Sequence, residues 1–265
     1  MPNRIGIQFE SSTYCNAKCK FCPRYDMTRP MGMMSDELFH KIIKDGKELK
    51  PKFFEPFLNG EPFVFPRIWE WLDYMEKEGV QVVLYSNAER LDVDRLIKYK
   101  NIRYVNCSFN AATKETYDKV MRGPDYETSK KNIQDLIKKA PFWVKVSMVV
   151  TEDNQHEVEE FKKMWGWRRK KIRPFLNWAG ARSSTVAKTG RKLPCYSLLN
   201  QMTILWDGRV VPCCMASNAE MVLGDVNKNT LKEIWDSYEW FREKHRNLDF
   251  STPICAGCNY NEDGA

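Results

Sequence analysis

Cys15, Cys19 and Cys22 stand together in the stretch Thr13-Tyr14-Cys15-Asn16-Ala17-Lys18-Cys19-Lys20-Phe21-Cys22-Pro23. Three thiolates this close can converge on one metal centre. A [4Fe–4S] cluster has four iron corners, normally held by four cysteines. The spacing C-x3-C-x2-C therefore leaves one iron open to bind something else. An open iron points to chemistry rather than plain electron storage. The alternatives are a zinc knuckle and a disulfide cluster. Zinc usually recruits a nearby histidine or a fourth cysteine, whereas His40, His156 and His245 fall in helix-like polar stretches remote in sequence. The 9 cysteines are an odd number, and Met1-Pro2-Asn3-Arg4 leads straight into a strand-like run with no signal peptide. Reduced, metal-bound thiolates in a reducing compartment, the cytoplasm, are the expectation.

A second set of thiols lies in the last third. Cys195 precedes Cys213, and Cys255 and Cys258 form a C-x2-C pair. Between the first two, Met202 to Trp206 and Arg209 to Pro212 flank Asp207-Gly208, which predicts a type I′ hairpin. That turn brings Cys195 and Cys213 toward each other, and an amphipathic helix over 230–245 can return the C-x2-C pair to the same place. Four converging thiolates make a closed site, either structural zinc or a fully ligated [4Fe–4S] cluster. Cys214 adjoins Cys213 and can substitute for it. Cys107 lies in a strand-like run, where it reads as a buried structural thiol.

The elements that must position these groups alternate through the first two thirds. Strands are predicted over 5–11, 53–58, 80–85, 102–109, 143–150 and 172–178. Helices are predicted between them, among them 36–49 with Ser35 as N-cap, 93–99 and 156–164. Strands alternating with helices imply βαβ units and a parallel α/β sheet. Six units are too few for a closed eight-stranded barrel. Residues 179–193 read as a loop or linker. No apolar run approaches the roughly 20 residues that span a bilayer. The net charge is +7, and such a balance can indicate an anionic partner. Most cations alternate with acids, as on solvated helix faces. The denser run Arg168, Arg169, Lys170, Lys171 and Arg173 beside Trp165 and Trp167 reads first as a helix end entering a strand, and second as a nucleic-acid patch.

The cysteine spacing, with the aromatic Phe21 just before the last cysteine, resembles the radical S-adenosylmethionine (radical SAM) superfamily. In that family the open iron chelates the amino and carboxylate groups of S-adenosylmethionine. Further motifs carry the resemblance along the chain. Asn59-Gly60-Glu61-Pro62 is similar to the family's G-G-E-P, which binds the methionyl amino group; Asn59 replaces the first glycine and Glu61 is kept. Tyr85-Ser86-Asn87 is similar to T-N-G, near the ribose and substrate. Ser108-Phe109-Asn110-Ala111, followed by Met121-Arg122-Gly123, resembles S-L-D-G and a later R-G. Ser108 and Arg122 would then help hold the cofactor's carboxylate or ribose, with Asn110 in place of the usual Asp. Ser147 would reach the ribose from the fifth strand. Asn177-Trp178-Ala179-Gly180 resembles the N-W-x-G where the barrel meets an extension. All fall at the C-terminal ends of strands, where such barrels place their sites.

The resemblance implies a partial (β/α)6 TIM-like barrel over 1–180 and, over 181–265, a linker and a small "twitch" domain, the shortened form of the SPASM extension. The order C, then G-x4-C, then C-x2-C resembles that domain and favours Cys213 over Cys214. It implies two [4Fe–4S] clusters, not three, with S-adenosylmethionine as the other cofactor. The implied chemistry is reductive cleavage of S-adenosylmethionine to a 5′-deoxyadenosyl radical, which takes a hydrogen atom from substrate. An auxiliary cluster makes a two-electron oxidation natural. The layout is similar to the branch that dehydrogenates 2-deoxy-scyllo-inosamine, so a small sugar- or cyclitol-like substrate is expected. An epimerase or ribosomal-peptide maturase is the alternative, and a nucleic-acid-binding metal protein is a remote one. With four residues before the first strand, no leader-peptide-binding domain is expected. The implied partners are a one-electron reductant such as flavodoxin or ferredoxin and a small-molecule or peptide substrate, with no membrane.

Overall fold

The computed structural model describes residues 5–166, 169–180 and 191–260. Six strands, β1 (Gly6–Phe9), β2 (Phe53–Glu55), β3 (Val82–Ser86), β4 (Ile102–Ser108), β5 (Trp143–Val150) and β6 (Lys170–Pro174), lie side by side in chain order and in parallel. Helices α1 (Asp36–Glu48), α2 (Ile68–Lys77), α3 (Val93–Leu96), α4 (Lys114–Val120), α5 (Tyr126–Lys139) and α6 (Val158–Trp165) connect them. The predicted α/β partial barrel is thus observed. Parallel neighbours need a crossover connection, and helices supply it.

One face of each of β1 to β5 is buried under the helices, whereas no residue of β6 is fully buried. Ile7, Phe9, Phe54, Val82, Leu84, Val105, Cys107, Val146 and Met148 are all fully buried in one core. Phe39 of α1 stacks on Trp71 of α2 at 4.1 Å between ring centroids. Ser35 caps α1 as expected, its hydroxyl accepting from the Leu38 N–H at 3.2 Å. Cys107 sits in this core, as its alternation predicts.

Beyond the barrel come α7 (Tyr196–Asn200), β7 (Gln201–Ile204), β8 (Arg209–Val211), β9 (Gly224–Asp225), α8 (Leu231–Ser237), α9 (Glu239–Arg246) and α10 (Pro253–Ala256). β7 pairs in parallel with β1, so the sheet runs on without a break in the order β6-β5-β4-β3-β2-β1-β7-β8-β9. Much of the predicted linker, residues 181–190, lies outside the described residues, as do Trp167 and Arg168 of the basic run.

Three local expectations are corrected. The sixth strand spans Lys170–Pro174 rather than 172–178; Trp178 and Ala179 take φ of 49° and 56°, which no strand allows. The hairpin is not type I′. Only Gly208 has positive φ, at 93°, and its N–H donates to Leu205 O at 3.0 Å while Leu205 N–H donates to Arg209 O at 2.8 Å. That is a type I turn closed by a glycine bulge, a three-residue loop. The helix over 230–245 is two helices that meet at Tyr238 (φ −110°, ψ 29°). The Ser237 hydroxyl bonds back to Ile234 O at 2.8 Å, a contact that bends helices. Among the described residues no helix is long and apolar enough to cross a membrane.

Candidate iron–sulfur and cofactor site

The loop after β1 carries Cys15, Cys19 and Cys22, and the barrel clamps it by its backbone. Glu61 N–H donates to Tyr14 O at 2.9 Å, Lys18 N–H to Arg122 O at 2.6 Å, and Lys20 N–H to Val120 O at 3.0 Å. Gly60 makes the first approach possible, since a Cβ there would lie 2.1 Å from Ser12 O. The loops after β2 and α4 therefore fix how the three thiols are presented. Trp178 adds a fourth tie, its indole N–H donating to Phe21 O at 2.8 Å.

Glu61 is the hub beside this loop. It is buried, and its carboxylate accepts from the Ser86 hydroxyl at 2.7 Å and the Asn87 N–H at 2.8 Å. The Asn87 amide in turn donates to Asn16 Oδ1 at 2.8 Å. Cys15, Asn16, Glu61, Ser86 and Asn87, drawn from three segments, thus form one cluster. Burial pushes Glu61 up to about 7 despite these donors. Burial first, and Glu61 second, push Cys15 up to about 12. Burial likewise holds Cys19 well up, with Cys22 and Cys15 adding to it. Three mutually repelling thiols beside an acid ionise together only when a cation joins them, which is the donor chemistry an iron cluster fits.

The second predicted group of cofactor residues lies on β4 and β5. Ser108 faces Ser147 in register. Ser147 Oγ accepts from Asn106 Nδ2 at 2.8 Å. Asn110, at φ 60°, is a structural joint: its Oδ1 accepts from Val149 N–H at 2.8 Å, and its carbonyl accepts from Asn154 Nδ2 at 2.8 Å. Pro62 starts a short 3-10 turn. The Arg122 side chain is exposed, and it is the residue's carbonyl that meets the cysteine loop. Asn59, the departure from G-G-E-P, donates to Glu10 Oε1 at 3.0 Å. Glu10 is fully buried and paired with Arg29 at 2.6 Å, and Arg29 Nε donates to Ser217 O at 2.6 Å. Asn59 therefore serves a buried ion pair that ties the cysteine loop to the C-terminal segment.

The second thiol set also comes together. Cys195 caps α7, Cys213 follows β8, and Cys255 and Cys258 lie on and just after α10. Cys213 senses Cys195 and Cys258, and Cys255 senses Cys195 and Cys258. Burial is the main force raising all three of Cys195, Cys213 and Cys255. Two neighbours escaped the sequence reading. His245 is fully buried with its Nε2 3.3 Å from Cys255 Sγ. Arg191 donates to Cys258 Sγ at 3.3 Å. His245 falls in a polar stretch of sequence, yet the apolar Phe241 one turn before it marks the buried face. Donors aimed at sulfur are what iron–sulfur ligands receive. Among the described residues no three His, Cys, Asp or Glu side chains are spaced for a single metal ion. Asn177 joins the two cysteine regions, donating to Gly257 O at 2.6 Å next to Trp178 on Phe21.

The radical SAM superfamily model matches residues 9–164, and the model of an iron–sulfur cluster-binding domain, SPASM, matches residues 195–259. The chain belongs to the radical SAM superfamily. A [4Fe–4S] cluster and S-adenosylmethionine are therefore its cofactors, with further iron–sulfur content from the SPASM domain. Among curated proteins it is similar to the mycofactocin maturase MftC of Mycobacterium tuberculosis, 28% identical over 59% of this chain and 40% of that protein. The match thus spans less than half of that relative's length. Among solved structures it is similar to BtrN in complex with AdoMet and 2-DOIA, with TM-score 0.67, 16% identity and coverage of 97% and 93% of the two chains. SuiB of Streptococcus suis bound to precursor peptide SuiA matches with TM-score 0.76 and 13% identity, over 98% of this chain and 75% of that one. These two likenesses concern the fold.

Proposed function

We propose that this radical SAM enzyme carries out a two-electron oxidation at a C–H bond of a substrate held in the barrel. When bound, the first cluster and S-adenosylmethionine supply the radical that takes the hydrogen atom, and a second cluster supplies an acceptor for the remaining electron. Cys15, Cys19 and Cys22 would hold the first cluster. Glu61, steered by Ser86 and Asn87, would receive the cofactor's amino group; two carboxylate oxygens offer about four acceptor sites, so room remains beside its protein donors. Arg122, Ser108 and Ser147 are the candidates for the carboxylate and ribose. Cys195, Cys213, Cys255 and Cys258 would hold the auxiliary cluster.

One observation carries the oxidative reading. Cys214, next to a ligand of the second set, senses Cys195 and Cys258 on one side and Glu55 and Arg173 of the barrel on the other. Cys214 thus lies within electrostatic reach of both the second thiol set and the strands β2 and β6, which supports electron transfer out of a substrate held in the barrel. Cys213 and Cys214 both feel Cys195 and Cys258, and the G-x4-C spacing is what favours Cys213 as the ligand. The place of Cys214 also favours a second reading, epimerisation with Cys214 as hydrogen donor. Mass spectrometry of the product formed in heavy water separates the two. Oxidation gives a product two hydrogens lighter, whereas an unchanged core mass with one deuterium from solvent would assign epimerisation.

For the substrate, kinship to a maturase and likeness to a peptide-bound enzyme support a peptide. The compact layout shared with BtrN supports a cyclitol. We place the enzyme among reduced thiols in the cytoplasm, served by a flavodoxin- or ferredoxin-like reductant.

A further inference from the structure

The second thiol set sits among donors that a plain ligand count does not explain. His245 on α9 is fully buried. Its Nε2 lies 3.3 Å from Cys255 Sγ. Arg191 reaches the other sulfur of the C-x2-C pair, donating to Cys258 Sγ at 3.3 Å. The rings of Phe241 and Phe250 each meet His245 edge to face, at 5.2 Å between centroids. Arg191 lies 5.8 Å from the Phe250 ring centre. Phe250 thus packs against both donors, and each sulfur of the pair has its own.

The state of the His245 ring follows from its surroundings. A neutral imidazole carries one N–H and one bare lone pair. Burial first, and Arg191 second, disfavour a charged ring. A cysteine that binds a metal is a thiolate, and a thiolate sulfur only accepts. The proton therefore sits on Nε2, aimed at Cys255 Sγ, and Nδ1 is the bare nitrogen. Among the described residues Nδ1 is buried without a hydrogen-bond partner, and buried polar atoms are seldom left so. Packing alone does not account for this. A phenylalanine would suit the same aromatic surroundings and leave no nitrogen unpaired. What the histidine adds is the donor on sulfur.

We propose that His245 acts through Cys255 as a positioning residue of the auxiliary cluster: its Nε2–H donates to Cys255 Sγ and raises the cluster's reduction potential. Hydrogen bonds to the sulfurs are among the features that set such potentials, because a donor stabilises the negative charge gained on reduction. A higher potential suits a cluster that accepts the electron left on a substrate. The inference rests on the reading above, in which Cys255 is a ligand of that cluster. It goes beyond the ligand set: four cysteines fix where the cluster sits, and the donors behind them set how readily it is reduced.

The test uses the full chain, reconstituted without oxygen, in a redox titration of both clusters followed by electron paramagnetic resonance. His245→Phe should make the auxiliary cluster about tenfold harder to reduce, a potential about 60 mV lower, and should leave the first cluster unmoved. His245→Gln, whose side-chain N–H can reach the same sulfur, should restore most of the shift. A purely structural histidine would leave the potential alone or respond equally to both substitutions. A second measurement needs no variant. Chain labelled with ¹⁵N-histidine should show, by electron–nuclear double resonance on the reduced auxiliary cluster, a weak nitrogen coupling and a proton coupling that disappears in heavy water. If His245→Phe loses iron, the labelled wild-type chain decides alone. An unmoved potential in His245→Phe, equal shifts in the two variants, absence of both couplings, or a nitrogen coupling as large as that of a directly bound imidazole overturns the proposal. Iron content keeps the two levels apart. Wild-type chain with about four irons removes the auxiliary-cluster reading and this inference with it, whereas about eight irons with an unmoved potential removes only this inference.

Discussion

At the residue scale, Glu61 and Arg191 set the two sites. Both Glu61 oxygens are aimed by protein donors, Ser86 and the Phe63 N–H on Oε1 and the Asn87 N–H on Oε2, so its one remaining lone pair points in a fixed direction. Glu61→Gln should weaken S-adenosylmethionine binding by roughly tenfold to a hundredfold, the loss of a charge-assisted hydrogen bond of about 1.5–3 kcal/mol. Equilibrium binding to the iron-loaded protein measures this, and unchanged affinity would remove Glu61 from the cofactor site. Arg191 senses Cys195, Cys258 and Cys255, and a cation there favours the more negative, reduced state of a cluster. Arg191→Gln should lower the auxiliary cluster's potential by roughly 60 mV, a tenfold change for a one-electron couple, with rescue by Arg191→Lys. A redox titration followed by electron paramagnetic resonance reads it, and an unmoved potential denies Arg191 that role. The cysteines and Glu61 were legible in the sequence because their spacing and neighbours are local. His245 and Arg191 were not, because helix α9 and the chain before α7 bring them to the sulfurs only after folding. Asn59 looked like a mild departure from a motif; its partner Glu10 lies 49 positions away.

At the element scale, the cysteine loop has little regular structure of its own and takes its shape from its clamps. Gly60→Ala would drive a methyl group into Ser12 O, which is backbone and cannot step aside. The loop would shift, and the first cluster should be lost or made labile while the second remains. Reconstituted iron should fall from about eight to about four per chain; full iron loading would show that the clamp tolerates the displacement. Element types were legible from hydrophobic periodicity, as in α1 with its Ser35 cap. The errors came where backbone geometry decides. Asp207-Gly208 fits more than one turn type, and only the position of the positive φ tells them apart. The break at Tyr238 depends on a serine back-bond that periodicity does not reveal.

At the scale of the whole molecule, one sheet runs from the barrel into the C-terminal segment through β1 and β7. Arg29, paired with Glu10, reaches Ser217 O, and Asn177 reaches Gly257 O and Asn259 Oδ1, so both links cross the same seam. Pairing of β7 with β1 was not legible, since the intervening chain gives no sign of which edge it returns to. Buried acids set the pH response. Glu55 and Glu61 are raised in the folded state from 4.5 to about 7, so the native chain binds more protons than the unfolded one between those values. Stability should therefore fall as pH rises from about 4.5 to 7, by roughly 3 kcal/mol for each acid. Urea unfolding of Glu55→Gln should show about half of this loss, and an identical pH profile would contradict the assignment.

The most direct test of the central claim is cofactor cleavage by the variant Cys15→Ala/Cys19→Ala/Cys22→Ala, measured together with its iron. The wild-type chain, reconstituted without oxygen, should hold about eight irons, as two four-iron clusters require, and should release 5′-deoxyadenosine when reduced. The variant should keep about four irons and release none. Continued formation of 5′-deoxyadenosine by the variant would contradict the assignment of the first three cysteines as the catalytic cluster's ligands.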